Sequence, residues 1–327
     1  ITFDSNGGSE VSDIVALYES SITAPSTPTK EGFDFAGWYS DIELTNSFKF
    51  IKMPLNGATL YAKWSSKLCT ITLDLQGGNG QTEINGKFGD EVIAVEEPIR
   101  EGYTFAGWYS EETYENEYEF TTIPSTSITV YAKWTINQYK ITFESNGGSD
   151  VEEVSGDFAS EITYPTAPTK EGHTFEGWYT NKLFAEKYER TSFEAKDVKL
   201  YAKWTANEYT ILFEENGGSQ VEDITLTYGS QVSTPAKPVK EGHTFVGWYS
   251  DEELTNEYTF DIMPLDGCTV YAKWIANKYI IRFYKNGAKS GEMADLTATF
   301  DKPFTLPKNQ YEWVGYRFIG WATSVDG

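Results

Sequence analysis

The sequence has little of what most protein chemistry needs. Two histidines and two cysteines occur in 327 residues, which leaves almost nothing for nitrogen-ligated zinc, for histidine general-base catalysis or for a disulfide framework. Positive charge is scarce as well: 26 Lys+Arg stand against 49 Asp+Glu, a formal net charge of −23. Phosphate-backbone binders draw their affinity from clustered Lys and Arg, and an anionic membrane surface repels an acidic chain. Nucleic acid is therefore excluded as a partner. No apolar run approaches the length of about 18 residues that a spanning helix needs, so no membrane insertion of this segment is expected. No Asn-x-Ser/Thr sequon occurs, which removes N-glycosylation and leans away from a eukaryotic secreted origin. Gly-x-Ser-x-Gly, Walker and zincin motifs are missing. No catalytic residue, metal ligand or cofactor is assigned, and the chain is read as not an enzyme.

What is present is aromatic and periodic. Aromatic content of 16% and hydrophobic content of 39% can build cores, so the acidity is not that of a disordered chain. A length-based prior suggests two domains, but the order of residues overrides it. Tyr-Ala-Lys-Trp closes at Trp64, Trp134, Trp204 and Trp274, each 70 residues after the last. Phe-x-Gly-Trp keeps the same spacing at Phe35, Gly37 and Trp38; Phe105, Gly107 and Trp108; Phe175, Gly177 and Trp178; and Phe245, Gly247 and Trp248. A fifth set, Phe318, Gly320 and Trp321, follows 73 residues on, so the last copy carries a three-residue insertion. Asn-Gly-Gly begins at Asn6, Asn146 and Asn216, with Gln76 and Asn286 at the same place in the other copies. Five units follow: 1–66, 67–136, 137–206, 207–276 and 277–327, the first truncated at its N-terminal side and the last divergent and truncated at its C-terminal side. Both ends cut inside a unit, so the chain reads as an excerpt of something longer.

Units of this size exceed solenoid repeats of about 20–45 residues and can close their own cores, so beads on a string are expected. The Phe and Trp positions are expected to be structural, because aromatics bury large areas. The opening segment alternates, with Tyr209, Ile211 and Phe213 facing one way and Thr210, Leu212 and Glu214 the other. Ile224, Leu226 and Tyr228 form a second alternation, and Leu60, Ala62 and Trp64 share a face opposite Tyr61 and Lys63. This period of two predicts strands, and Asn-Gly supplies a hairpin turn. The stretch from Pro165 to Pro168 and its equivalents disfavours a long helix; at most one short helix per unit fits, there or just after the first hairpin. Junctions such as Thr135-Ile136-Asn137-Gln138 lack Gly and Pro, unlike flexible linkers. They predict a preferred orientation between units and a rod on the order of 150–200 Å long.

The combination of Phe143 with Asn146-Gly147-Gly148, Pro168-Thr169-Lys170-Glu171-Gly172, Phe175-x-Gly177-Trp178-Tyr179 and Leu200-Tyr201-Ala202-Lys203-Trp204 resembles the Listeria–Bacteroides repeat, the B-repeat type of internalin-like bacterial surface proteins. The resemblance covers nearly the whole chain. It implies an α+β, mainly β, array of β-grasp modules similar to ubiquitin and SUMO. It also implies an extracellular, cell-surface setting and a stalk or adhesion role. The fifth copy lacks Lys-Glu-Gly, and Ala322 replaces the Tyr after Gly-Trp.

Sharper functional ideas each meet a plainer one. His173 and His243 occupy the position of Phe33, Tyr103 and Tyr316, which fits a half-buried aromatic site rather than a ligand. Cys69 and Cys268 lie in different registers of distant units and read as small buried apolar residues. Lys63, Lys133, Lys203 and Lys273 invite a Lys–Asn isopeptide staple, but each shares a face with Tyr opposite the inward Trp, which fits a snorkelling surface Lys. Acidic clusters such as Glu111-Glu112, Glu152-Glu153 and Asp251-Glu252-Glu253 lack the ordered oxygen spacing of a calcium loop and read as a solvated face. Tyr39, Tyr109, Tyr179 and Tyr249 are the candidates for stacking on a glycan, beside Phe48, Tyr118, Tyr188 and Tyr258. Net charge is −3 for residues 1–70, −8 for 71–140, −6 for 141–210, −7 for 211–280 and +1 for 281–327, a spread that keeps repeated units soluble and their edge strands covered. The expected role is a non-catalytic extracellular stalk that spaces other segments of the same surface protein. The alternatives are an adhesive array binding a host protein or glycan by avidity and a self-associating filament.

Overall fold

The computed structural model describes residues 1–325, and every regular element among them is a β-strand. Repeat 1 supplies β1 (Thr2–Asp4), β2 (Phe33–Tyr39) and β3 (Thr59–Ser66). Repeat 2 supplies β4 (Leu68–Asp74), β5 (Glu83–Lys87), β6 (Tyr103–Tyr109) and β7 (Ile128–Ile136). Repeat 3 supplies β8 (Gln138–Glu144), β9 (Val154–Asp157), β10 (His173–Tyr179) and β11 (Val198–Ala206). Repeat 4 supplies β12 (Glu208–Glu214), β13 (Ile224–Thr227), β14 (His243–Tyr249) and β15 (Cys268–Ala276), and repeat 5 supplies β16 (Lys278–Ile281) and β17 (Leu296–Thr299).

The α+β class implied by the resemblance is therefore corrected, and the room left for one short helix per unit is not used: the described residues are all-β. The physical reason lies in the crossover that leads into the Phe-x-Gly-Trp strand of repeats 1 to 4. In repeat 4 it holds Gly229, Pro235 and Pro238, which leave no uninterrupted stretch long enough for a stable helix. The crossovers run extended instead and bond to a second extended segment. Ile22 N–H donates to Ile51 O at 3.2 Å, Val92 N–H to Thr121 O at 3.0 Å and Val232 N–H to Asp261 O at 2.7 Å. These paired segments bring Ile123 and Met263 onto the sheet, where they are buried.

The strands of repeat 2 are ordered β5-β4-β7-β6, and those of repeat 4 β13-β12-β15-β14. The first and last strands of a repeat lie side by side and parallel, as β4 with β7 and β12 with β15. Each then has an antiparallel partner on its outer side. Cores are separate. Ile71, Leu73, Trp108, Val130 and Ala132 form one with other residues of repeat 2 only. Ile211, Phe213, Trp248, Val270 and Ala272 form another within repeat 4, and Trp38, Leu60 and Ala62 a third within repeat 1. By tertiary contact the chain divides into two compact units, one of Ile1–Thr142, Glu152–Pro165 and Glu189–Lys199, the other of Phe143–Val151, Thr166–Tyr188 and Leu200–Gly327.

One irregularity organises each core. Phe35 and Trp38 are three residues apart, which in a regular strand puts them on opposite faces. A β-bulge between Phe35 and Gly37 shifts the register, so that Phe35 faces Trp64 and Trp38 faces Ala62. Extra residues of this kind re-aim side chains. Gly37, Gly107 and Gly177 take φ of 122°, 115° and 133° at the bulge, a region open to glycine. The outcome is a repeated aromatic triad: Phe35 lies 5.4 Å from Trp38 and 5.5 Å from Trp64, and Phe245 lies 5.5 Å from Trp248 and 5.3 Å from Trp274, all edge-on.

Candidate functional site

The structure places Trp38, Trp108, Trp178 and Trp248 in the cores, each at most 7% exposed. Trp64, Trp134, Trp204 and Trp274 are half-buried and act as latches. Their Nε1–H groups donate to the carbonyls of Ser5, Leu75, Ser145 and Glu215 at 2.8, 2.9, 2.8 and 2.8 Å. Each ring packs against the second glycine of the turn, Gly8, Gly78, Gly148 or Gly218, where a Cβ would collide with it. The turn Asn completes the latch: Asn6, Asn146 and Asn216 donate from Nδ2 to Ala62, Ala202 and Ala272 O at 2.7, 2.7 and 2.8 Å. The Lys of Lys-Glu-Gly caps the same turn, as Lys30 Nζ donates to Asn6 O at 2.8 Å and Lys240 Nζ to Asn216 O at 2.7 Å.

In repeat 5 Phe318 is exposed and Trp321 half-buried, yet the ring pairs persist. Phe283 lies 4.6 Å and Phe318 4.9 Å from Trp321. A side chain at Gly320 would meet open space among the described residues. Residue Ile281 pairs with Leu296, where Ile211 pairs with Ile224, so two of the three inserted residues lengthen this first hairpin.

The glycan candidates Tyr39, Tyr109, Tyr179 and Tyr249 carry a lysine on one ring face. Lys63, Lys133, Lys203 and Lys273 hold their Nζ 4.8, 4.6, 5.3 and 4.5 Å from those ring centroids, a cation–π contact that stabilises by about 0.5–1 kcal/mol at exposed sites. Lys63 and Lys273 also donate to Leu44 and Leu254 O. Of the acidic clusters, Asp251 accepts from Thr255 N–H at 2.8 Å, Thr255 Oγ1–H at 3.0 Å and Asn256 N–H at 2.7 Å. The Thr255 amide foremost, then Asn256, holds its carboxyl below the ordinary range. Glu111, at the same position in repeat 2, is bonded by Ser110 and Asn116 and is likewise lowered, Ser110 contributing most. Both carboxylates cap a loop. Among the described residues no group of three or more His, Cys, Asp or Glu is placed to hold a metal.

The arrangement that sequence reasoning missed is the joint between repeats. One residue separates the last strand of a repeat from the first strand of the next: Lys67, Asn137, Asn207 or Asn277. Its N–H donates to a glycine carbonyl of the preceding repeat: Lys67 to Gly32, Asn137 to Gly102, Asn207 to Gly172 and Asn277 to Gly242, at 3.0, 2.9, 2.9 and 2.8 Å. Its own carbonyl accepts from an aromatic residue of the following repeat, Phe88, Phe158, Tyr228 or Phe300, at 2.8, 2.8, 2.8 and 2.9 Å. That aromatic ring occupies the space where a glycine Cβ would stand, and the glycines sit at φ of 73°, 77°, 65° and 66°. Phe33, Tyr103, His173 and His243 meet the same rings edge-on, at 5.5, 6.0, 6.0 and 5.5 Å. The two histidines thus stand in an aromatic contact between repeats. Side chains add to it: Thr104, Thr174 and Thr244 donate to the Oδ1 of Asn137, Asn207 and Asn277 at 2.6, 2.6 and 2.5 Å. Tyr228 Oη–H donates to Glu171 at 2.5 Å, a bond that pushes the phenol above its usual range. The signal available in the sequence was the Gly of Lys-Glu-Gly, or Arg-Glu-Gly at Gly102, recurring with an aromatic residue at the end of the next hairpin.

These features define a tandem array of small all-β domains joined by a repeated, docked boundary. The chain belongs to the Listeria-Bacteroides repeat domain family, which it matches over residues 1–63, 70–133, 139–203, 209–273 and 279–327. Among curated relatives it is 43% identical over 264 residues to a protein of Evansella cellulosilytica named as a Gly-rich membrane protein, covering 80% of this chain and 31% of the relative. It is 42% identical over 275 residues to another protein of that organism named as a membrane protein, covering 82% and 41%. Internalin H of Listeria monocytogenes is 32% identical over 166 residues, covering 50% and 29%. The chain thus spans less than half the length of these relatives. No helix of the described residues is long and apolar enough to cross a membrane, which says nothing of a β-barrel.

Proposed function

We propose that this chain is a non-catalytic stalk of a bacterial cell-surface protein, an extended spacer that holds a binding region at a distance. The observation that carries the reading is the joint. Four boundaries use an equivalent glycine, a single linking residue and an incoming aromatic in the same arrangement, so adding repeats adds length in a set direction instead of slack. Flexible linkers would do the opposite. The relatives' names, membrane proteins and an internalin, support a surface setting and a non-enzymatic role. The pairing of first and last strands in parallel, each flanked by an antiparallel partner, supports a β-grasp connectivity with its helix replaced by extended chain.

Small-angle scattering on the purified chain tests the reading. A stalk gives a maximum dimension that far exceeds that of a globule of the same mass and does not change with concentration. Lengthening with concentration would mean a filament, and a compact envelope would end the proposal. A host protein or glycan retained by the isolated chain would make it an adhesive array instead.

A further inference from the structure

The geometry points to a load-bearing function: repeats 1, 2 and 4 are built so that tension through the chain ends of each shears the central parallel strand pair rather than peeling it open. In repeat 4 the chain enters at Glu208, the start of β12, and leaves at Ala276, the end of β15. The two strands run parallel, Ile211 opposite Cys268 through Glu214 opposite Tyr271. In a parallel pair the start of one strand and the end of the other lie at opposite ends of the ladder. Tension then runs along both strands and loads all the inter-strand bonds together. An antiparallel hairpin pulled at its open end loses its bonds one at a time. Repeat 2 pairs Ile71 with Ile128 through Asp74 with Tyr131, and repeat 1 pairs Thr2 with Thr59 through Asp4 with Tyr61, in the same sense.

Three further features reinforce the pair. Its inward side chains Ile71, Val130, Ile211 and Val270 have no exposure, which keeps water, the competitor for the ladder bonds, off that face. The latch spans the same two strands, because Asn216 and Glu215 follow β12 and are bonded by Ala272 and Trp274 of β15. Between repeats 1 and 2 load passes from β3 to β4 through one residue, Lys67, held on both sides by backbone bonds. The biological use of the clamp rests on the stalk reading, but the clamp itself does not.

Optical-tweezers pulling on the full chain tests this, in a background carrying C69A and C268A. Handles at E208C and I275C load β12 against β15 in shear, whereas handles at E208C and T227C open the β12–β13 hairpin, whose ends are paired directly. Glu208, Thr227 and Ile275 are exposed, so the handles leave the core intact. At one loading rate the shear pair should rupture at a several-fold higher force, as expected when forced unfolding is set by the barrier to separating the strands. Adding Asn216→Ala should lower the shear force and leave the hairpin force unchanged. Equal rupture forces in the two geometries would overturn the clamp, even in a chain that scatters as a rod. A compact scattering envelope with a strong shear response would remove the stalk and leave the clamp standing.

Discussion

At the scale of single residues, function depends on what is missing from a side chain. Gly148 has no Cβ, and the Trp204 ring uses that space, with Thr169 O also close to it. Gly148→Ala should push the indole off the turn and break its bond to Ser145, with an overpacking loss of about 1–3 kcal/mol. Trp204 fluorescence shifting to longer wavelength, with a lower denaturation midpoint, would register it; an unchanged spectrum would contradict the latch. Charge acts locally as well. Because the Asp251 carboxyl is held below its ordinary range, its loop cap is fully present above the ordinary value of about 3.9 and is lost as pH falls through the lower folded value. Amide exchange at Thr255 and Asn256 should accelerate on acidification below about pH 4, and Asp251→Ala should show the fast rates at every pH. Rates independent of pH in the wild-type chain, once intrinsic exchange is divided out, would contradict this. The aromatic positions were legible in the sequence because they repeat. The roles of Gly148 and Gly172 were not, since a glycine's contact partner lies far away in the chain and leaves no local trace.

At the scale of elements, alternation revealed the strands that begin and end each repeat, because their inward and outward faces differ cleanly. The Phe-x-Gly-Trp strand was harder to place. Its two large residues are three apart, a spacing that suits neither a regular strand nor a shared face, and only the bulge reconciles them. The bulge also makes a prediction. Deleting Glu176, the extra residue of β10, should turn either Phe175 or Trp178 away from the core, because a one-residue slip reverses faces. The loss is of the size seen on emptying an aromatic site, about 3–5 kcal/mol. Calorimetry should then show the third repeat unfolding at lower temperature, while retention of the wild-type trace would count against the bulge. The helix that the crossover has length for does not form for a related reason: its prolines and its pairing with a second extended segment take up that chain.

At the scale of the whole molecule, repeats 1, 2 and 4 each keep their own core, and what neighbouring repeats share is the joint. Its short length was legible in Thr135-Ile136-Asn137-Gln138, but the docking of Phe158 on Gly102 was not, because it joins residues 56 positions apart. The most direct measurement is the distance between spin labels in adjoining repeats, at E43C and E112C in the C69A/C268A background. Glu43 and Glu112 are exposed and lie in the corresponding loops of repeats 1 and 2, one position apart in the 70-residue register. The account predicts one narrow distance distribution, broadened by Gly32→Val, which would drive a side chain into the Phe88 ring. A broad distribution in the wild-type chain, unaltered by Gly32→Val, would contradict it.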